Sequence, residues 1–433
     1  MQTLIGKITD RSAHVCVIGL GYVGLPLAIE FARAGYQVTG IDADPEKVKG
    51  INAGESHVQD VNDVELRQVV DRGHLQATTD FAALRKVDTV SICVPTPLGK
   101  TKDPDISYIM TATQAICEYL HTGQLVVLES TTYPGTTDEV ILPQMQNTGL
   151  HLGKDFFLAF SPERTDPGNK SFHLHNTPKI IGGVTAKCTK VAKHLYQQII
   201  ETVVPMSSSR AAEMVKLLEN TFRAVNIGMV NEVALMCDRL GLDVWEVIDA
   251  AATKPFGFMR FHPGPGLGGH CIPLDPHYLA WKLKTLDYRA RFVELADDIN
   301  TGMPHYVVTR IGDVLNEMQK SIKGSRILVL GVAYKPDTND IRESPALEVI
   351  RLLLAKGGEV FFHDPFITEV AIIEGLHYAE LNERMLNWAD CVVVTTHHSV
   401  YDYRWIVQHS RLIVDTRNAT RDVKKGREKI HKL

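Results

Sequence analysis

The sequence predicts an α/β protein in which two Rossmann-like doubly wound domains are joined by a helical central domain with long helices. Three observations support this prediction. A strand runs into a glycine-rich turn and a helix near the start of the chain, a similar βαβ rhythm returns from Arg326 onward, and long helical patterns separate the two. The 433 residues also exceed what one ordinary hydrophobic core holds, so two or three domains are expected.

The first domain is indicated by its glycine turn. An apolar strand, Val15 to Ile18, leads directly into three glycines with G-x-G-x-x-G spacing, and the next strand ends at Asp42. Bare amides at a helix N-terminus suit a pyrophosphate, and the Asp42 carboxylate would bind a ribose 2′-hydroxyl and repel a 2′-phosphate. NAD is therefore predicted rather than NADP, and the competing acid Asp44 is interpreted as the start of the next helix. The residues predicted to hold the dinucleotide here are Gly19, Gly21, Tyr22, Val23, Gly24 and Asp42.

Three further strands of this domain end in polar turns. They are predicted at Asp88 to Val94, Gln124 to Glu129 and Phe156 to Phe160. In open α/β sheets the ligand lies beyond the carboxyl ends of the strands, so the residues after them are expected to face the nicotinamide half of the cofactor and the substrate. Ordinary turn chemistry is an equal alternative for Thr96 and Ser130, whereas a carboxylate at a strand end can move protons. The residues concerned are Thr96, Ser130, Thr131, Thr132 and Glu163.

One long helix is predicted from Ser209 to about Gly241. Lys216 and Asn220 are four residues apart and so project from one face of it. A lysine and an amide together can stabilise a developing alkoxide, although an exposed polar stripe is the alternative. Apolar residues recur at helical spacing on an offset stripe of Met214, Leu217, Leu218, Phe222 and Val225.

The stretch from Pro263 to Pro276 reads P-G-P-G-L-G-G-H-C-I-P-L-D-P and is the centre of the functional prediction. Its four glycines let the backbone come close to a ligand, and we expect a packed core to have no use for such a loop. Cys271 is interpreted as a functional thiol, with an inert buried cysteine as the alternative, and Asp275 supplies a carboxylate four residues later.

The last domain repeats the βαβ rhythm without the full fingerprint. Only Gly331 remains of the three glycines, so a dinucleotide pyrophosphate is not expected to bind there in the same manner. Lys335 and Arg342 stand where the glycines were, which suits a different phosphorylated ligand, with ordinary surface charge as the alternative. The basic tail, Arg421 to Lys432, is expected to be a solvated end.

Composition excludes several classes of partner. A net charge of −5 argues against nucleic acid or anionic lipid, and no apolar run approaches the length of a membrane helix or resembles a signal peptide. Seven cysteines without paired spacing are typical of a reducing compartment. A cytoplasmic location is therefore expected.

Five motifs carry a resemblance that covers essentially the whole chain. G-L-G-Y-V-G-L-P, S-P-E-R-T-D-P-G-N, K-L-L-E-N, the cysteine loop and A-Y-K-P-D-T-N-D-I-R-E-S-P resemble, in this order, the UDP-glucose/GDP-mannose dehydrogenase family. Within it the chain most resembles the bacterial and archaeal branch that acts on UDP-N-acetyl-D-glucosamine. The UDP-glucose branch differs at Arg164 to Pro167, where Pro167 replaces a cofactor-contacting glutamate, and typically has serine at His270.

The resemblance implies a four-electron oxidation of a sugar 6-hydroxyl to a carboxylate with two NAD, through a thiohemiacetal and a thioester on Cys271. It implies a homodimer formed through the helical middle, with Arg260 reaching the substrate of the partner subunit. The implied catalytic residues are Cys271, Lys216, Asn220, Asp275, Glu163 and Thr131. The implied substrate contacts are Glu163, Arg164, Lys216, Asn220, Arg260, Gly268 and Lys335, and Arg342 joins Thr96, Ser130 and Thr132 as cofactor contacts.

The domain boundaries follow from the order of the predicted strands and helices. An NAD-binding Rossmann domain is placed at 1–205, a helical central and dimerisation domain with the cysteine loop at 206–305, and a UDP-sugar-binding Rossmann-like domain at 306–433.

Two alternative functions stay open: the same chemistry on UDP-N-acetylmannosamine or UDP-glucose, and a non-catalytic NAD-binding scaffold. A two-electron hydroxyacid dehydrogenase is disfavoured because it would need no thiol.

Overall fold

The computed structural model describes residues 1–58, 60–99, 102–165 and 171–433 and divides into two units. Unit 1 comprises Met1–Glu219 and His277–Tyr288, and unit 2 comprises Asn220–Pro276 and Arg289–Leu433. Each unit holds one β-sheet that is wholly or mainly parallel and carries its own buried apolar clusters. The predicted fold class, two Rossmann-like sheets with long helices between them in sequence, is confirmed.

The described part of unit 1 contains an eight-stranded sheet. Its strands are β1 (His14–Ile18), β2 (Gln37–Ile41), β3 (Leu75–Thr78), β4 (Thr89–Ile92), β5 (Gln124–Leu128), β6 (Phe156–Phe160), β7 (Lys179–Gly183) and β8 (Val203–Pro205). They lie in the order β3-β2-β1-β4-β5-β6-β7-β8, and among them only β6 and β7 pair antiparallel. The order reverses between β1 and β4, which is the point where doubly wound sheets bind their ligands.

The central strands of this sheet are buried on both faces because helices cover them. Every residue of β4, β5 and β6 is buried, as parallel sheets require. The helices are α1 (Gln2–Thr9), α2 (Gly24–Arg33), α3 (Pro45–Asn52), α4 (Asp63–Asp71), α5 (Ser107–Tyr119), α6 (Leu142–Gln146), α7 (Ala186–Tyr196) and α8 (Ser209–Leu240), with a 3₁₀ turn at Phe81–Lys86 and a π-helical turn at Thr136–Ile141. The boundary between the two units falls inside α8.

Unit 2, every residue of which is described, contains a six-stranded parallel sheet. Its strands are β9 (Arg326–Leu330), β10 (Glu359–His363), β11 (His377–Tyr378), β12 (Cys391–Val394), β13 (Ile413–Asp415) and β14 (Ile430–Lys432), in the order β11-β10-β9-β12-β13-β14. The remaining helices of the chain are α9 (Val244–Ala251), α10 (Asp275–Lys284, mostly in unit 1), α11 (Arg291–Glu317), α12 (Pro345–Ala355), α13 (Glu383–Trp388) and α14 (Tyr403–His409), and a 3₁₀ turn covers Arg427–Lys429. No helix in the described ranges combines the length and the apolar character that crossing a membrane requires.

The prediction of a solvated basic tail is wrong. Its last residues form β14, which pairs in parallel with β13 and aligns Ile413 with Ile430. The terminal Leu433 is buried in the apolar cluster of unit 2, and Lys432 forms an ion pair with Asp243 at 2.8 Å. A short edge strand therefore lies within a segment whose charge suggested only solvent, and the buried Leu433 directly follows it.

The long helix α8 buries a different stripe from the expected one. Leu217 is buried, but Leu218 is 56% and Phe222 45% exposed, whereas Asn220 is buried and Lys216 half-buried. The exposed polar stripe considered for Lys216 and Asn220 is therefore wrong. The polar pair faces the protein, and part of the apolar stripe faces outward.

Candidate active site

In the glycine turn after β1, two glycines are required by close packing and a third borders open space. A Cβ on Gly19, whose φ is +89°, would lie 2.6 Å from the carbonyl oxygen of Cys93, and one on Gly24 would lie 1.8 Å from Gly19 O. Both positions therefore exclude any side chain. A Cβ on Gly21 would meet nothing within 4 Å, so space is open beside the N-terminus of α2. This turn fits a dinucleotide pyrophosphate.

The acid at the end of β2 is held in place by backbone groups. The Asp42 carboxylate accepts hydrogen bonds from Leu20 N at 2.8 Å and Asp44 N at 3.0 Å, and its side chain is half-buried. Asp44 itself caps α3 by accepting a hydrogen bond from Glu46 N at 3.0 Å, as predicted. Asp42 is thus oriented beside the glycine turn, where a ribose would follow the pyrophosphate. Tyr22 in the turn is exposed and Val23 half-buried.

The hydroxyl groups beyond β4 and β5 serve the turns that carry them. Ser130 Oγ donates to Val94 O at 2.7 Å, and Thr132 Oγ1 lies 2.6 Å from Thr136 Oγ1. Thr96 is buried, and its carbonyl oxygen accepts a hydrogen bond from the Tyr278 hydroxyl. Thr131, by contrast, is only half-buried. Contact of these residues with cofactor or substrate stays a prediction.

Unit 1 brings Glu163 and Lys216 together. The Glu163 carboxylate accepts hydrogen bonds from the backbone N–H groups of Arg164 at 2.7 Å and Thr165 at 2.6 Å. Burial by itself would raise the pKa of Glu163, but the Lys179 ammonium and these N–H groups hold it below its ordinary value. Lys216 Nζ donates to the backbone oxygen of Glu163 at 2.7 Å. A carboxylate that is ionised at neutral pH therefore lies next to the predicted oxyanion-binding lysine.

Arg164 makes a two-pronged ion pair with Glu219 on α8. Its Nη2 and Nε lie 2.5 Å and 3.2 Å from the two carboxylate oxygens, and Nη1 donates to Pro178 O at 2.5 Å. The guanidinium is thereby fixed in orientation, and its contact with substrate stays a prediction. Pro167, the position that separates the UDP-glucose branch, lies outside the described residues.

Unit 2 places Cys271 beside a buried amide–carboxylate pair. Cys271 is exposed, whereas the other six cysteines, all within the described ranges, are buried or half-buried. Its carbonyl oxygen accepts hydrogen bonds from Leu274 N at 3.1 Å and Asp275 N at 2.8 Å. Asn220 Nδ2 donates to Asp275 Oδ2 at 2.5 Å, and both of these side chains are buried. The thiol is thus presented to solvent one turn ahead of a carboxylate whose orientation α8 fixes.

The expectation that a packed structure has no use for the loop glycines is wrong. A Cβ on Gly264 would lie 2.4 Å from Arg417 Nη1, and one on Gly268 would lie 2.9 Å from Tyr334 Cβ. Gly269, with φ +93°, would place a Cβ 2.8 Å from the Tyr334 ring. Close packing inside unit 2 therefore excludes side chains at these glycines, and it fixes the loop that carries Cys271.

Cationic groups gather at the carboxyl edge of the unit 2 sheet. Lys335 follows β9 and is half-buried, and the exposed Arg342 pairs with Asp340 at 2.6 Å. Arg417 follows β13, its Nε donates to Thr395 O at 3.0 Å, and burial lowers its pKa to about 10. Sequence reasoning missed Arg417. Its position could have indicated a ligand contact, because it is a cation two residues beyond the end of a strand and ligands bind at that edge of the sheet.

Arg260 lies between α9 and the cysteine loop. Its Nη1 is 3.5 Å from Asp249 Oδ1, and its side chain is 47% exposed. The position leaves the guanidinium accessible from outside unit 2, and its action on a partner subunit's substrate stays a prediction.

Three family models match the chain in sequence order. Residues 13–200 match the NAD binding domain of the UDP-glucose/GDP-mannose dehydrogenase family, residues 210–302 its central domain, and residues 328–422 its UDP binding domain. The matches cover strands β1 to β7, the cysteine loop, and most of the sheet of unit 2.

Relatives with three different sugar names match over most of their length. A UDP-N-acetyl-D-mannosamine dehydrogenase of Pyrococcus horikoshii is 36% identical over 94% of this chain and 96% of its own. A UDP-N-acetyl-D-glucosamine 6-dehydrogenase of Pseudomonas aeruginosa is 34% identical over 83% of this chain and 84% of its own. The solved structure of a UDP-glucose dehydrogenase from Pyrobaculum islandicum is 30% identical, covers 97% of both chains, and has a TM-score of 0.86.

Proposed function

We propose, from the premise that the chain belongs to the UDP-glucose/GDP-mannose dehydrogenase family, that it oxidises the 6-hydroxyl of a UDP-N-acetylhexosamine to a carboxylate in two steps. Membership makes the chain an NAD-binding oxidoreductase of nucleotide sugars. The observation that carries the proposal is the exposed Cys271, whose loop is fixed beside the buried Asn220–Asp275 pair.

NAD would be held at the switch point of the unit 1 sheet. The open space at Gly21 and the N-terminus of α2 suit the pyrophosphate, and Asp42 suits the ribose. When bound, this cofactor accepts one hydride in each of the two oxidations. The substrate's nucleotide would be held by cations of unit 2, namely the predicted Lys335 and Arg417, which follows β13 at the same edge of the sheet.

In the first oxidation the residues of the chain manage the charge on the sugar oxygen. Lys216 and Asn220, on the same helix, would stabilise the alkoxide that forms as the 6-hydroxyl gives up its proton. Glu163 is the carboxylate suited to accept that proton, because it is ionised and lies next to Lys216. Loss of the hydride from carbon 6 then leaves an aldehyde.

The second oxidation needs a nucleophile, because an aldehyde has no alcohol-type hydride to give until one adds. Cys271 Sγ would bond to carbon 6 as the aldehyde oxygen takes up a proton, which forms a thiohemiacetal. Loss of a second hydride and of that proton leaves a thioester. Water then attacks the carbonyl, the C–S bond breaks, and the carboxylate and the thiolate are released. Asp275, Glu163 and Thr131 would position this water and accept its proton.

The proposal also names the sugar of the substrate. The motif resemblance favours UDP-N-acetyl-D-glucosamine, while the P. horikoshii relative favours UDP-N-acetyl-D-mannosamine as the second candidate. The test is a panel of both sugars and UDP-glucose assayed with NAD, in which NADH formed per sugar consumed is recorded. Two NADH per N-acetylhexosamine supports the proposal. One NADH per sugar would remove the thiol step, and binding without turnover of any sugar would favour a scaffold.

We also propose a homodimer, the division into three domains at 1–205, 206–305 and 306–433, and a cytoplasmic location. The dimer is supported by exposed apolar side chains along one face of α8 in unit 2, Phe222, Met229, Met236 and Leu240. The domain division is supported by the three family matches, and the location by the seven thiols.

A further inference from the structure

A buried ammonium group lies between two carboxylates at the carboxyl end of β5 and β6. Lys179, the first residue of β7, is 3% exposed. Its Nζ donates to Glu129 Oε2 at 2.8 Å and to Glu163 Oε2 at 3.4 Å. Glu129 directly follows β5 and precedes the Ser130–Thr132 turn, and Glu163 lies in the turn after β6. One side chain thus ties together the two turns that carry the predicted proton-transfer residues.

The other polar groups of this cluster also have hydrogen-bond partners. The other oxygen of Glu129 accepts a hydrogen bond from the Tyr196 hydroxyl, which lies 3.1 Å from Ser91 Oγ. Lys179 Nζ lies 5.3 Å from the centre of the Tyr196 ring and 3.4 Å from Pro162 O. Neither Lys179 nor Glu129 belongs to the residues predicted for cofactor, substrate or catalysis.

The charges of the cluster are unbalanced without the lysine. The titratable groups that face the ammonium are Glu129, Glu163, Cys93 and Tyr196, and the Lys216 ammonium reaches the Glu163 backbone from α8. Two carboxylates in one buried site cannot both stay ionised without a cation, so one of them would take up a proton. Burial raises the pKa of Glu129, whereas the Lys179 ammonium and the backbone N–H groups hold the pKa of Glu163 low. Glu163 is therefore the carboxylate that the lysine helps to keep ionised.

We propose that Lys179 is a positioning residue of the reaction, whose buried ammonium keeps Glu163 anionic and fixes the β6 turn against the β5 turn. The inference rests on the proposed function, in which Glu163 accepts a proton. It predicts a particular fault when the lysine is removed: Glu163 takes up a proton at a higher pH than in wild type, so activity is lost on the acid side of the profile and returns as the pH rises.

The kinetic test is the pH dependence of kcat for Lys179→Met, with NAD and the best sugar of the panel. We expect the acid limb of kcat to move up by at least about one pH unit, so that kcat at a pH on that limb falls at least about tenfold, while KM changes less. Lys179→Met/Glu129→Gln removes the competing charge and should move the limb part of the way back, and Lys179→Arg should restore activity in part. Lys190→Met, an exposed lysine on α7, is the matched control and should match wild type. A loss that is equal at all pH values, or no loss, would overturn the inference.

A second readout is independent of activity. Without the lysine the folded-state pKa of a carboxyl group is raised, so stability relative to wild type is retained at low pH and lost as pH rises. The thermal midpoint of Lys179→Met should therefore fall further below wild type at pH 8 than at pH 5.5, and the double variant should recover at pH 8. A pH-independent deficit overturns the inference. If wild type oxidises no UDP-sugar, the proposed function fails, but the thermal midpoints still test whether Lys179 balances the two carboxylates. If Lys179→Met does not fold, the pH dependence of the double variant's thermal midpoint provides the test.

Discussion

His398 Nε2 lies 3.0 Å from Asp364 Oδ2 in the interior of unit 2, and both side chains are fully buried. His398 Nδ1 accepts a hydrogen bond from Asp337 N at 3.0 Å, so the proton of the neutral ring is on Nε2 and points at the carboxylate. Asp364 also accepts from Val332 N at 2.8 Å. The pair thereby pins both ends of the turn that carries Lys335.

We expect His398→Ala to loosen that turn. It leaves a buried carboxylate and an N–H group without this partner, which costs about 1–3 kcal/mol of unfolding free energy. If Lys335 binds the nucleotide, KM for the UDP-sugar should rise more than kcat falls. Urea unfolding and steady-state kinetics check both parts, with His305→Ala, an exposed histidine on α11, as the control. An unchanged KM in a destabilised variant would separate the turn from substrate binding.

The acid side of the stability curve is predicted to depend on Asp364. Burial opposes its ionisation, but the hydrogen bond from His398 and those from Phe366 N and Val332 N lower the pKa of Asp364 below its ordinary value. Its stabilising contribution is therefore present above the unfolded-state pKa of about 4 and is lost as pH falls through the folded-state pKa. Asp364→Asn should be less stable than wild type at pH 7, and the difference should shrink below pH 4. A difference that is constant with pH in urea unfolding would contradict this.

Sequence patterns were sufficient for the elements that obey a local rule. The strand–glycine–helix start, the Asp44 cap and the proline-free helix α8 each depend on neighbours in the chain, and the structure has them within a residue or two. The loop glycines were a different case. Their requirement comes from Tyr334 and Arg417, which are distant in sequence, so composition could not distinguish close packing from ligand approach.

The same limit explains what was missed at the site. Lys179 begins a strand, and its charge is unremarkable until β5 and β6 place Glu129 and Glu163 around it. The basic tail likewise needed β13 as a pairing partner before Ile430 to Lys432 could form a strand. The environment of Lys179 and the formation of β14 both depend on pairing between strands that are distant in sequence. Periodicity indicates only which face of an element a residue occupies.

Cys271→Ala should bind NAD and the UDP-sugar but form no uronic acid. The side chain is exposed, so its truncation leaves no cavity, and the fold should be retained. Without the sulfur the aldehyde cannot become a hydride donor in the second step, so acid formation should fall by at least about 10³-fold. Binding is measured by calorimetry and the acid by mass spectrometry, with Cys117→Ala as a control thiol. Normal acid formation by Cys271→Ala would remove the covalent step.

Asp42→Asn should weaken the discrimination between NAD and NADP. The amide keeps the shape of the side chain and can still accept from Leu20 N, but it no longer repels a 2′-phosphate. We expect the ratio of kcat/KM for NAD to that for NADP to fall at least about tenfold, since hydrogen bonds to a charged group contribute about 1.5–3 kcal/mol. KM for the UDP-sugar is the internal control. Equal turnover of both cofactors by wild type would contradict the role given to Asp42.

The proposed dimer makes a prediction about the outer face of α8. Phe222, Met229 and Met236 are exposed and recur every seven residues (229 − 222 and 236 − 229), so they form one stripe on the helix. A charge placed in such a stripe cannot be buried against a second copy without a partner, so Met229→Glu/Met236→Glu should shift the molar mass measured by light scattering from dimer to monomer. Val400→Glu, at an exposed apolar residue after β12, should leave the mass unchanged. If Arg260 acts across the interface, the monomer should also lose activity while it still binds NAD, and a wild-type chain that is monomeric at assay concentration would refute both the interface and that role.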